Sequence, residues 1–189
     1  MITTSDFKKG LRVLIEGDPY TIIESIVQTP SARGASSLAK VKVRNLKTGQ
    51  VFDRTFRTGE RFEEPDLERR NLQYLYSDGE HRVFMDMESF EQFHVADKDL
   101  GDDARFLYDG LELKALFFDN AILELELPAT LEYEIVDVEP GTRGDTAHGS
   151  PTKPAVMSNG LRVHVPLFVQ QGERIRVSTK DGKFSERAK

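Results

Sequence analysis

One long cation stands among small side chains in the segment TPSARGASSLAK, residues 29–40. Arg33 is surrounded by Ser31, Ala32, Gly34, Ala35, Ser36 and Ser37. A guanidinium presents five donors in a fixed fork that matches phosphate oxygens and base edges, and its plane stacks on nucleobases. Small neighbours give such a loop little to bury but keep it thin enough to enter a cleft. A ten-residue excursion folded back on itself projects about 15 Å. The alternative is a surface loop with an incidental arginine, because long loops are either functional or without fixed structure.

Other reactive chemistry is scarce. His81, His94, His148 and His164 lie in separate segments, with no HxH or HxxxH spacing for a metal. The stretch DKDLGDD (97–103) crowds four aspartates but lacks the glycine position and distal glutamate of a calcium loop, so it reads as solvated acidic surface. GTRG (141–144) is no phosphate loop, and RGD (143–145) is a tripeptide frequent by chance. No serine sits in a nucleophile elbow, and the chain has no cysteine to act as nucleophile or form a disulfide. These absences point away from an enzyme, a metal centre or a bound cofactor.

The elements that must hold Arg33 read as strands. LRVLIEGDPYTIIES carries Leu11, Val13 and Ile15 on one face and turns at Gly17-Asp18-Pro19. After the loop (29–39), Val41 and Val43 alternate with Lys40, Lys42 and Arg44, and the chain turns at Lys47-Thr48-Gly49. TGERFEEPDLERR is a polar break. The next hairpins turn at Asp78-Gly79 and Asp119-Asn120, and residues 97–108 suit one short helix. A last unit follows Pro128, with a loop rich in Gly, Thr, Ser and Pro at 140–160. No fixed-period repeat shows. Units of about 60 residues, at 1–65, 66–128 and 129–189, point to small β-barrels, since closure removes exposed edges.

Charge is divided along these units. The net value of −6 hides +3 over residues 1–65, −10 over 66–128 and +1 over 129–189. Two weakly basic ends flank an acidic middle, although ordinary surface solvation would give the same numbers. No apolar run approaches the roughly 20 residues of a membrane helix, and Met1 opens a polar segment rather than a signal peptide. A cytoplasmic chain without a membrane partner is expected.

Along its whole length the chain resembles the bacterial elongation factor P family. The likeness is carried by DFKKGLRVLIEGDPYTI, KVKVRNLKTG, LQYLYSDGEHRVFMD, LELPATLEYEIVDVEPGTRGDTA and LRVHVPLFVQQGERIRVSTKDGKFSERA, in that order. The resemblance implies an all-β fold: an SH3-like (KOW-type) barrel and two OB-folds in an L shape similar to tRNA. It further implies a monomer bound to ribosomal RNA and protein between the peptidyl-tRNA and exit sites, acting at consecutive prolines. By the same likeness Arg33 occupies the fingertip that approaches the peptidyl-tRNA acceptor end. Gly144, Asp145 and Thr146 match a family loop associated with messenger RNA in the exit site. Lys40, Lys42 and Arg44 face either RNA phosphates or solvent.

The tip departs from the common pattern. The lysine-type PGKG is absent, no Lys lies between Lys9 and Lys40, and Pro30 to Ala39 is about two residues longer than usual. The ARGA tip is similar to the elongation-factor-P-like paralogue, which works with a bare arginine. The GDT loop is similar to the standard factor. A third, Arg-tipped group carries a rhamnose on that arginine, which would add an arginine-modifying enzyme to the partners. A paralogue, or an OB-fold RNA-binding module without a role at prolines, is the alternative reading.

Overall fold

A computed structural model describes residues 1–28, 37–140 and 151–188. Cα proximity divides the chain into two compact units, Met1–Arg69 with Ala115–Glu124, and Arg70–Lys114 with Leu125–Lys189.

The first unit opens with β1 (Ile2–Thr3), β2 (Arg12–Ile15) and β3 (Asp18–Gln28), followed by β4 (Leu38–Asn45), β5 (Val51–Arg57) and β6 (Arg61–Phe62). Strands β2-β3-β4-β5 form an antiparallel meander, and β1 pairs with β6. The alternation predicted for β4 is observed: Ala39, Val41 and Val43 are buried while Lys40, Lys42 and Arg44 are exposed. The inward side chains join Ile2, Val13, Ile15, Tyr20 and Ile22 in one core. Phe62 anchors one end of it, 5.1 Å from the Phe7 ring and 4.8 Å from Phe56. Each such aromatic pair contributes about 0.5–1.5 kcal/mol beyond area burial.

The first turn differs from its prediction. Ile15 pairs with Asp18, so the loop is Glu16-Gly17, both at positive φ (55° and 87°). That two-residue form matches the right-handed strand twist. Pro19 instead lies at the start of β3, where a missing N–H is tolerated. The polar break at 58–70 also contains a short strand, β6.

The next sheet comprises β7 (Glu68–Ser77), β8 (His81–Asp86), β9 (Gln92–Ala96), β10 (Glu112–Phe118) and β11 (Ala121–Glu126), in the order β11-β10-β7-β8-β9. The last comprises β12 (Thr130–Val138), β13 (Thr152–Met157), β14 (Arg162–Pro166), β15 (Arg174–Ser178) and β16 (Phe184–Arg187), in the order β14-β13-β12-β15-β16. Numbered within each sheet, both run 3-2-1-4-5, and in both the first strand bulges against the second, at Tyr74/Tyr76 and at Ile135/Asp137. The shared order is one of topology and is not accompanied by a fixed sequence period. The single helix expected at 97–108 is instead a turn of α-helix, α1 (Asp97–Leu100), followed by a 3-10 stretch, Gly101–Phe106. Gly101 at φ 55° breaks the α-helical path.

Three hairpins close with one turn design, at residues 45–50, 86–91 and 178–183. In each, the first N–H donates to the sixth carbonyl, and the fifth N–H donates to the first carbonyl, all at 2.9 Å. The sixth N–H reaches a side-chain oxygen at the fourth position: Thr48, Ser89 or Asp181. The fifth residue is left-handed in every case: Gly49 at 72°, Phe90 at 60° and Gly182 at 70°.

Candidate nucleic-acid interface

The β3–β4 hairpin stays in antiparallel register out to Gln28 opposite Leu38. The connection is therefore residues 29–37, shorter than expected because Leu38 and Ala39 belong to β4. One foot of this connection is tied to the residue that follows the third strand. The N–H and the hydroxyl of Thr58, just beyond β5, both donate to the Ser37 carbonyl, at 3.0 and 2.8 Å. Ser31, Ala32, Arg33, Gly34 and Ala35 lie outside the described residues.

Behind the hairpin, the outward side chains of β3, β4 and β5 fall into rows fixed by register. Outermost are Gln28, Leu38 and Arg57, then Ile26, Lys40 and Thr55, then Glu24, Lys42 and Asp53, and finally Thr21, Arg44 and Val51. Lys40 and Arg44 thus have uncharged cross-strand neighbours. Lys42 sits between two carboxylates, which offset its charge for an incoming phosphate. A shallow groove of about 400 Å³ follows these rows and includes Glu24, Ile26, Lys40, Lys42 and Asp53. Ile26, Val27 and Leu38 are exposed beside it. The strand alternation identified the cations, but only register revealed the acid row that divides them.

The second loop singled out in the sequence, Gly144-Asp145-Thr146, also lies outside the described residues. Its feet are described. The β12–β13 pairing continues to Val138 opposite Ala155, and the Glu139 N–H donates to the Pro154 carbonyl at 3.0 Å.

Two features were not legible as sequence. His81 and His94, thirteen positions apart, come together on β8 and β9 with ring centroids 6.4 Å apart. Their Nδ1 atoms lie 3.6 and 4.0 Å from the two oxygens of Asp78. Asp78 already accepts the His81 and Glu80 N–H groups, which hold its carboxyl below the usual range. It closes a turn, and among the described residues no group of three or more His, Asp or Glu is arranged to hold a metal. The acidic stretch 97–103 is also less uniformly solvated than expected. Asp97 binds Arg82 through both oxygens at 2.8 and 3.2 Å, and that hydrogen bond is the main cause of its lowered pKa.

A cation-bearing meander followed by two sheets of one shared 3-2-1-4-5 order defines an all-β class built of a KOW-like unit and OB-type units. Family comparison agrees segment by segment. Residues 3–62 match the Elongation factor P (EF-P) KOW-like domain, 67–125 the Elongation factor P (EF-P) OB domain and 131–187 the Elongation factor P C-terminal domain. The chain belongs to the elongation factor P family of translation elongation factors. It is 40% identical over 188 residues to elongation factor P of Moorella thermoacetica, covering 100% of both chains. Elongation factor P 1 of Geobacter sulfurreducens is 43% identical over 188 residues, again covering 100% of both. The factor of Microcystis aeruginosa is 40% identical, over 97% of this chain and 98% of its own. A solved translation initiation factor 5A from Methanococcus jannaschii shares the fold, with a TM-score of 0.53 at 21% identity, over 67% of this chain and 93% of the other. Among the described residues no helix is long and apolar enough to cross a membrane.

Proposed function

We propose that this chain binds the ribosome between the peptidyl-tRNA and exit sites and speeds peptide-bond formation at consecutive prolines by steadying the acceptor end of the peptidyl-tRNA with Arg33. The observation that carries this reading is the register of the β3–β4 hairpin. Gln28 and Leu38 are its last paired residues, and Arg33 is five positions from each. Five residues span at most about 17 Å, and the Ser37 foot of the connection is clamped by Thr58. Lys40 and Arg44 supply local cations behind it, and phosphate binding follows local cations and counterion release rather than net charge.

Proline reacts poorly in peptide transfer because its ring fixes φ and restricts the approach of its nitrogen. Holding the acceptor end in a reactive geometry lowers the entropic part of that barrier without an acid or base from the factor. On this reading Gly144, Asp145 and Thr146 touch messenger RNA in the exit site. The Arg33 side chain works either bare or modified, for example by rhamnose.

The test is reconstituted translation of a Pro-Pro-Pro reporter with Arg33→Ala. That variant is expected to keep its thermal midpoint and lose most stall relief. Relief equal to the unaltered chain would remove Arg33 from the mechanism. Intact mass of the natively expressed chain distinguishes a bare arginine from a glycosylated one.

A further inference from the structure

The turn at 86–91 departs from its two equivalents at the left-handed position. Where residues 45–50 and 178–183 place Gly49 and Gly182 in the left-handed conformation, this turn places Phe90, at φ 60°. A bulky side chain there carries backbone strain that glycine avoids. The ring gains little burial in return, since Phe90 is 69% exposed. Phe168, another exposed aromatic residue, has the Arg187 guanidinium over its ring at 4.6 Å, so its exposure is partly accounted for within the fold.

The surroundings of Phe90 select a partner. Residues 83–97 contain Asp86, Glu88, Glu91 and Asp97 but no lysine or arginine. Asp86 faces Arg70 at 3.9 Å and Asp97 binds Arg82 at 2.8 Å, so the acids at the tip itself are Glu88 and Glu91. Met87, Glu88 and Glu91, which share the turn with Phe90, are exposed. The wider stretch 66–128 carries a net charge of −10. Carboxylates on both sides of an aromatic tip repel a phosphate backbone and attract lysine and arginine. An exposed aromatic residue seated in a recess is a common energetic anchor of protein interfaces.

We infer that the 86–91 turn is a docking tip for a basic protein surface, with Phe90 entering an apolar recess and Glu88 and Glu91 meeting surrounding cations. The inference rests on the ribosome-binding reading above, and it assigns this face to protein rather than RNA.

Phe90→Gly separates structure from recognition because it installs the residue that both equivalent turns use. The full-length variant should unfold about 2–4 °C higher than the unaltered chain. Its affinity for purified ribosomes should fall about tenfold, and Phe90→Tyr should restore it. With p-benzoylphenylalanine at position 90, photocrosslinks on the ribosome should go to protein. Affinity of Phe90→Gly within twofold of the unaltered chain, or crosslinks to RNA alone, would overturn the docking tip while leaving the proposed function standing. Failure of the unaltered chain to bind ribosomes would overturn both.

Discussion

At the scale of single residues, the outward face of β4 makes an unequal set of cations. Lys40 looks across at Ile26 and Thr55, whereas Lys42 looks across at Glu24 and Asp53. An RNA phosphate approaching Lys42 also meets two carboxylates, so its net gain there is smaller. Lys40→Ala is therefore expected to weaken ribosome binding more than Lys42→Ala. It should also flatten the dependence of log affinity on log salt by about 0.7–0.9, the change for one phosphate contact. Titrations at several salt concentrations measure both quantities, and equal effects from the two lysines would remove the acid row from the account. The sequence identified these three cations by alternation but could not rank them. Alternation fixes which face a side chain takes, and partner strands fix what stands beside it.

Among the elements, the shared turn shows how different residues meet one backbone demand. Asn45 and Asp86 occupy the same position, both buried, and each accepts two N–H groups, from Lys47 and Thr48 or from Glu88 and Ser89. Burial pushes the Asp86 carboxyl up, but those donors, with Arg70 and the Ser89 hydroxyl, outweigh it and leave the pKa lowered. A lowered folded value contributes stability above the unfolded pKa of about 3.9, and this is lost as pH falls through the folded value. Asp86→Asn retains the acceptor and should fold, with a shallower loss of stability than the unaltered chain as pH falls below about 4. Asp86→Ala should cost about 1–3 kcal/mol near neutral pH, because two part-buried donors lose their partner. Urea unfolding across pH measures both, and identical acid limbs for Asp86→Asn and the unaltered chain would refute the linkage. Much at this scale was legible in advance: the turns near Gly49, Gly79 and Asn120 stand where Gly, Asp and Asn predicted them. The turn at Glu16-Gly17 was misplaced because Pro19 looked like a turn residue, whereas strand starts accept proline equally well. The helix at 97–108 was overextended because its apolar positions Leu100 and Phe106 are buried from a tighter, glycine-broken path.

For the whole molecule, the three β units and their family were readable from ordered blocks of sequence, while the fastening of parts was not. Within the second compact unit, the buried Tyr133 hydroxyl donates to the Phe106 carbonyl at 2.6 Å. Asn159 Nδ2 donates to the carbonyls of Arg105 and Leu107 at 3.0 and 3.2 Å. These bonds pin the 3-10 stretch to the last sheet from positions 27 and more than 50 residues away, a separation that local pattern cannot reveal. Burial, with the neighbouring Tyr108, pushes the Tyr133 hydroxyl well above its ordinary value, so it stays a neutral donor at physiological pH. Tyr133→Phe leaves the Phe106 carbonyl without that donor and is expected to destabilise this unit by about 1–3 kcal/mol. A lowered urea midpoint with unchanged slope is the expected signature, and an unchanged midpoint would show the bond to be dispensable.

The double clasp of Thr58 on Ser37 has a consequence for how the arginine-bearing connection varies. With the Ser37 foot stapled to Thr58, residues added between the feet need not disturb the sheet beneath. The cost of enlarging a closed loop grows only logarithmically. Under the function proposed above, the reach of Arg33 can therefore be tuned one residue at a time, like a gauge whose zero point is set by the staple.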